Sequence, residues 1–133
     1  MRLMFRNKGS AFLLVVFVIA LLAAVVMGML QINTEEIQIM RNQISAAEAL
    51  ATAEAGLNDA LFEIRADSSW STGFTDKAFN GGIYTVAVGG SVPALTITST
   101  GTSSQGFVCQ VQVQLVVKSV SPFSMRIDNY KIN

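Results

Sequence analysis

The chain has 133 residues, 51% of them hydrophobic, and a mean hydropathy of +0.48, high for a soluble domain of this size. Nine Lys and Arg balance nine Asp and Glu, so no global basic field is present to draw nucleic acid. A single cysteine excludes an internal disulfide, and the absence of histidine removes the commonest general base and metal ligand. Enzyme, metal and cofactor functions therefore start with little support, and no cofactor is expected.

The neutral total hides an asymmetry. Arg2, Arg6 and Lys8 precede Ser10, whereas from Ser10 onward six cations face nine anions. Between Ser10 and Leu30 the chain is free of charge and rich in Phe, Leu, Val and Ile. At 1.5 Å per residue this run makes about 30 Å of helix, the thickness of a bilayer's hydrocarbon core. A secretory signal removed in the ordinary way has a shorter apolar core and then a small-residue cleavage site. Ala20, Ala23 and Ala24 imitate such a site, but apolar sequence continues for more than a turn beyond them. The basic cluster before the span, and Glu35 and Glu36 after it, place the N-terminus in the cytoplasm and the remainder outside by the positive-inside rule.

Beyond Leu30 no Pro-Gly or Asn-Gly punctuation occurs until the 67–82 region. Met40, Ile44, Ala47, Leu50, Leu57, Leu61 and Ile64 recur at helical spacing between polar positions, which predicts an amphipathic helix with that stripe turned inward. The expected helix runs from about Ser10 to Arg65. Gly56 is its costliest residue, at about 1 kcal/mol relative to alanine. Gly28 is expected to relax the backbone near the membrane exit.

Arg65 to Gly82, rich in Ser, Thr, Asp and Gly, reads as a loop. The period then changes to two. Ile83–Val88 is rich in β-branched and aromatic residues and is ended by Gly89 and Gly90, and Ala94–Gly101 alternates Leu95, Ile97 and Ser99 with threonines. Gly106–Val120 sets Phe107, Cys109, Val111, Val113, Leu115 and Val117 on one face and Gln110, Gln112, Gln114 and Lys118 on the other. Loops of about four to six residues make these runs neighbours in an antiparallel meander. The tail Ser121–Asn133 either adds a fourth strand around Met125–Ile127 or wraps the sheet edge. The fold class is α+β: a long N-terminal helix, its first half transmembrane, packed on a small antiparallel sheet of three to four strands.

With these elements in place, the chain resembles a type IV pilin-like subunit, specifically the minor pilins and pseudopilins of the PilX and general-secretion K type. The residues that carry the likeness are KGSAFLL (Lys8–Leu14) with the apolar helix after it, AEAGL (Ala53–Leu57), and GGIYTVAV with LTITSTGT between Gly81 and Thr102. The resemblance implies a basic leader (1–9), a transmembrane assembly segment (10–30), an amphipathic periplasmic helix (31–66), a loop and sheet (67–120) and a tail or edge strand (121–133). It implies that a prepilin peptidase cuts between Gly9 and Ser10 and methylates the new amino group of Ser10. It also implies that the chain joins other pilin or pseudopilin subunits through its N-terminal helix in the inner membrane, in a type IV pilus or type II secretion-like filament. Pilins usually carry glutamate at the fifth residue after the cut, where this chain has Leu14. A buried carboxylate needs a partner, so this subunit cannot make that contact; the K-type pseudopilin shares the lack, and the resemblance to it implies an initiating or tip position. Ala20, Ala23, Ala24 and Gly28 would allow close approach of neighbouring helices. The chain is too short for the inserted calcium-binding domain of larger relatives and has too few cysteines for a disulfide-closed C-terminal region.

Each of these features has a plainer reading. Gly9 also serves as a linker, and Glu54 as a solvated residue or a local partner of Asn58. Trp70, Phe74 and Phe79 are expected to plug the end of the core, and Cys109 to be buried and inert. Two other functional classes compete with a filament subunit. One is a membrane-anchored extracytoplasmic binding module; the other is an enzyme, for which no nucleophile elbow or carboxylate pair is recognisable.

Overall fold

A computed structural model describes residues 6–118 and 124–133. In chain order the described residues form α1 (Arg6–Ala66), β1 (Phe74–Phe79), β2 (Gly82–Ser91), β3 (Ala94–Thr102), β4 (Val108–Val117) and β5 (Met125–Ile132), an α+β set. The chain divides into two compact units, residues up to Arg41 and Asn42–Asn133.

The first unit is helical from Arg6, so the Gly9–Ser10 bond lies within a helical turn instead of ahead of the helix. From Gly9 to Arg41 every residue is exposed. The apolar N-terminal part of α1 is long and apolar enough to cross a membrane. Gly28 does not interrupt α1. The cost of one glycine is about 1 kcal/mol, too little to break a helix supported by long apolar neighbours on both sides.

In the second unit the helix from Asn42 to Ala66 covers one face of a five-stranded antiparallel meander in the order β1-β2-β3-β4-β5. Three to four strands were expected, and both additional strands lie at the edges. β1 occupies the stretch read as loop. Its signal is Asn80-Gly81, whose φ angles of 46° and 85° make the two-residue turn that pairs Phe79 with Gly82. The polar run Thr75-Asp76-Lys77 concealed it, because an irregularity between Phe74 and Lys77 breaks the alternation. β5 is a full strand, pairing with β4 from Val117 and Met125 to Val111 and Ile132. Residues 119–123, which include the end of the expected third run and the start of the tail, lie outside the described residues.

The central strands follow their alternation closely. Tyr84 and Val86 of β2, Leu95, Ile97 and Ser99 of β3, and Val111, Val113, Leu115 and Val117 of β4 are buried. Two boundaries differ. β2 continues through Gly89 and Gly90 to Ser91, and Val92-Pro93 alone links it to β3. β4 begins at Val108, which leaves Phe107 outside the strand and partly exposed, and Cys109 is only half-buried. Both lie at the start of β4, next to the β3–β4 loop.

The helix turns inward the C-terminal part of the expected stripe, Leu57 and Ile64 with Leu50 and Leu61 at its margin, but not Met40, Ile44 and Ala47, and adds small residues to it. Ser45, Ala49, Thr52, Ala53, Gly56, Leu57, Ala60 and Ile64 are buried, whereas Met40, Ile44 and Ala47 are exposed and Leu50 and Leu61 lie at the margin. The reason is close approach of two backbones. A Cβ added to Gly101 of β3 would overlap the Ala53 nitrogen and the Ala49 carbonyl oxygen. One added to Gly56 would lie 2.6 Å from the Ser99 hydroxyl and 2.7 Å from the Tyr84 ring. Only small helix residues fit over the middle of the sheet. Of the large residues, Ile64 enters beside Val117 and Met125, and Leu57 turns toward Ile127 and Tyr130 of β5.

Candidate assembly segment and the polar contacts of the sheet domain

The residues singled out for processing and assembly all lie on α1 in the first unit. Gly9 and Ser10 are exposed on consecutive helical positions, and a Cβ at Gly9 would meet nothing within 4 Å. Leu14 is 64% exposed on the same helix. Ala20, Ala24 and Gly28 repeat at i, i+4 and i+8 with Ala23 beside them, so they form one shallow face. Space at Gly28 is open, and among the described residues nothing lies within 4 Å of a Cβ placed there. The segment holds its side chains outward on all sides, as a helix made for lipid or for other apolar helices does.

Among the described residues of the second unit, the buried polar side chains are satisfied. The Ser99 hydroxyl donates to the Ala53 carbonyl at 2.6 Å, fastening the middle of β3 to the helix at the closest approach. The Thr52 hydroxyl donates to the Glu48 carbonyl at 2.8 Å. The Ser104 backbone N–H and hydroxyl both donate to the Glu48 carboxylate, at 3.2 and 3.1 Å, which ties the β3–β4 loop to the helix. Tyr130 of β5 donates its hydroxyl to Glu54 at 3.1 Å. Glu54 therefore has a partner across the domain, and the local Asn58 contact is not the one formed. Burial first, and then the Glu54 carboxylate, pushes the Tyr130 hydroxyl above its ordinary pKa.

The densest polar cluster joins β1, β2 and the helix. The Lys77 ammonium donates to Asp59 Oδ2 at 2.6 Å, and the Tyr84 hydroxyl donates to the same oxygen in a short bond. The ammonium also stands 4.6 Å above the Phe74 ring centre and 5.8 Å from that of Tyr84. Phe74 in turn lies edge-on to Tyr84 at 6.1 Å and 5.2 Å from Trp70. Lys77 first, and then the Tyr84 hydroxyl, hold the Asp59 carboxyl below the usual carboxylate range. Asp59 is likewise the first cause raising Lys77, whereas burial comes first in raising Tyr84, followed by its bond to Asp59.

Of the three aromatics expected to plug the core, Trp70 and Phe74 pack against it, while Phe79 is 43% exposed at the tip of the first hairpin. Phe79 adjoins the turn at Asn80, beyond the cover of the helix. Cys109 lies beside the chain end, with its thiol 3.7 Å from the Asn133 carbonyl oxygen. Among the described residues no three Asp, Glu or Cys side chains converge on a point that would hold a cation.

The residues that sequence reasoning passed over are Ser99, Gly101, Asp59, Lys77 and Tyr84. Gly101 had a signal: a glycine inside an alternating strand marks a close approach of another backbone. The Asp59, Lys77 and Tyr84 cluster had none, because its members are far apart in sequence and only the β1–β2 hairpin brings them together. No protein-family model, curated protein or solved structure matches the chain.

Proposed function

We propose that the chain is a structural subunit of a type IV pilus or type II secretion-like filament, a minor pilin or pseudopilin that initiates the filament or sits at its tip. The observation that carries the reading is the division of labour along α1. A charge-free stretch exposed on every side leads in the same helix to a stretch whose small residues are buried under an antiparallel sheet. A helix apolar all round needs lipid or similar helices as its surroundings, and a filament subunit uses both in turn.

In this reading the basic leader stays in the cytoplasm, the run from Ser10 to Leu30 crosses the inner membrane, and the sheet domain is periplasmic. A prepilin peptidase removes residues 1–9 and methylates Ser10. Because Gly9 and Ser10 are helical here, the peptide must unwind locally to enter a protease cleft. Glycine lowers the cost of that unwinding by about 1 kcal/mol relative to alanine. Leu14 offers no carboxylate to the amino group of a neighbour, which suits a subunit with none beyond it. Ala20, Ala23, Ala24 and Gly28 form the shallow face for lateral packing.

Mass spectrometry of the membrane-extracted protein tests the processing step, with a mature chain starting at methylated Ser10 as the expected result. An intact leader on the assembled or membrane-extracted protein would sink the proposal. Immunogold labelling of the sheet domain on sheared filaments tests the position: label confined to ends is expected, and label along the shaft removes the tip assignment.

A further inference from the structure

We propose that β1 is a releasable guard over the edge of β2, held shut by Lys77 acting as a latch onto Asp59 and Tyr84. Three observations converge on this. Of the six residues of β1, only Phe74 is even half-buried, whereas β2 beneath it buries Gly82, Tyr84 and Val86. The ladder is short: beyond the irregularity after Phe74 it holds three pairs, Lys77 with Tyr84, Ala78 with Ile83 and Phe79 with Gly82. Within the irregularity Asp76 sits at a φ of 47°, and its backbone N–H is taken by the Thr85 hydroxyl at 3.2 Å in place of a ladder bond.

Burial and pairing therefore hold β1 weakly, and its remaining tie to the helix is the Lys77 ammonium. That ammonium bridges Asp59 at 2.6 Å and caps the Phe74 ring at 4.6 Å, so one cation ties the middle of the strand to the helix and covers the ring at its first residue. Lys77 and Asp59 are each close to half exposed, which makes the latch reversible in water. When β1 leaves, the N–H and C=O groups along the edge of β2 are bared. The charged and kinked β1 covers that edge in the closed state with a strand that is itself a poor template.

Hydrogen–deuterium exchange of the full chain in detergent micelles near neutral pH tests the device. In the wild type, the amides of Phe74–Phe79 should exchange faster than those of β3 and β4. Lys77→Met retains the aliphatic stem and removes the ammonium. It should speed exchange across Phe74–Phe79 about fivefold, the change expected for losing one exposed ion pair and one cation–ring contact, with β3 and β4 unmoved. Asp59→Asn should act in the same direction, and the double variant should add little to either single one. The proposal is overturned if β1 in the wild type opens only together with β3 and β4. It is equally overturned if neither variant changes β1 exchange while Trp70 fluorescence reports a folded domain.

Discussion

Gly56→Ala separates packing from helix propensity. In an exposed helix interior this substitution stabilises by about 1 kcal/mol. At Gly56 the new Cβ would lie 2.6 Å from the Ser99 hydroxyl oxygen and 2.7 and 2.9 Å from two carbons of the Tyr84 ring. Neither neighbour can retreat freely: Ser99 is fully buried and bonded to the Ala53 carbonyl, and Tyr84 is buried with its hydroxyl held by Asp59. Overpacking of this kind costs about 1–3 kcal/mol, and the upper part of that range applies because the contacts are well inside ordinary separation. After the propensity gain the net loss is about 1–2 kcal/mol. In a domain of this size that lowers the unfolding midpoint by roughly 5–15 °C.

Trp70, the chain's one tryptophan, packs half-buried on the core, so its emission during heating of the full chain in micelles follows the domain directly. Gly28→Ala is the control, since space there is open and the Trp70 midpoint should not move. Adding Ser99→Ala to Gly56→Ala removes the closest contact and should recover part of the loss, although Ser99→Ala alone is destabilising by about 1 kcal/mol through its lost hydrogen bond. If Gly56→Ala raises the midpoint as propensity alone requires, the close helix–sheet approach is wrong.

Two further perturbations address the electrostatics and the exposed helix face. The Asp59 carboxyl lies below its ordinary pKa in the folded chain, so its contribution is present above about pH 4 and is lost as pH falls through the lowered value. Lys77 and Tyr84 lie above their ordinary values, so theirs is present below about pH 10 and is lost as pH rises through the raised values. The midpoint gap between wild type and Asp59→Asn should therefore be steady between about pH 5 and pH 9 and close at both extremes; a gap undiminished near pH 2 contradicts the assignment. Ile44→Glu and Phe62→Glu replace side chains that are 67% and 71% exposed, so each should leave the stability within about 0.5 kcal/mol of wild type. Both should nevertheless reduce incorporation into filaments, scored by co-purification with the sheared fibre, and normal incorporation would argue against assembly through this face.

How far the fold was legible depends on where each element sits in the sheet. β2, β3 and β4 are covered on one face by the helix or by residues packed with it, so their inward positions had to be apolar or small and the period of two is plain. β1 and β5 are edge strands with almost no buried positions, and burial is what writes alternation into a sequence. β1 was nevertheless announced by Asn80-Gly81, a turn signal that the surrounding Ser, Thr and Asp residues had been allowed to outweigh. The helix itself was readable from its composition. Its facing was readable in part: Leu57 and Ile64 enter the core and Leu50 and Leu61 pack at its margin, but over the middle of the sheet the approach of Gly101 to Ala49 and Ala53 leaves room only for small residues, which the stripe rule does not select.

That preference for small residues bears on function. In an ordinary amphipathic helix the bulky apolar side chains enter the core and the small or polar ones face water. In the second unit of this chain Ala49, Ala53, Gly56 and Ala60 are inside, while Ile44 and Phe62 stand in solvent. Both faces of the helix are therefore constrained: one by a sheet within the chain, the other by the cost of leaving large apolar groups in water. In the filament proposed above, neighbouring helices would bury those groups. The first unit carries the same requirement further, with no polar face at all between Ser10 and Leu30. Leu14 belongs to that surface. An isolated carboxylate there would need a partner from outside the chain, whereas leucine needs only apolar surroundings, as the rest of that surface does.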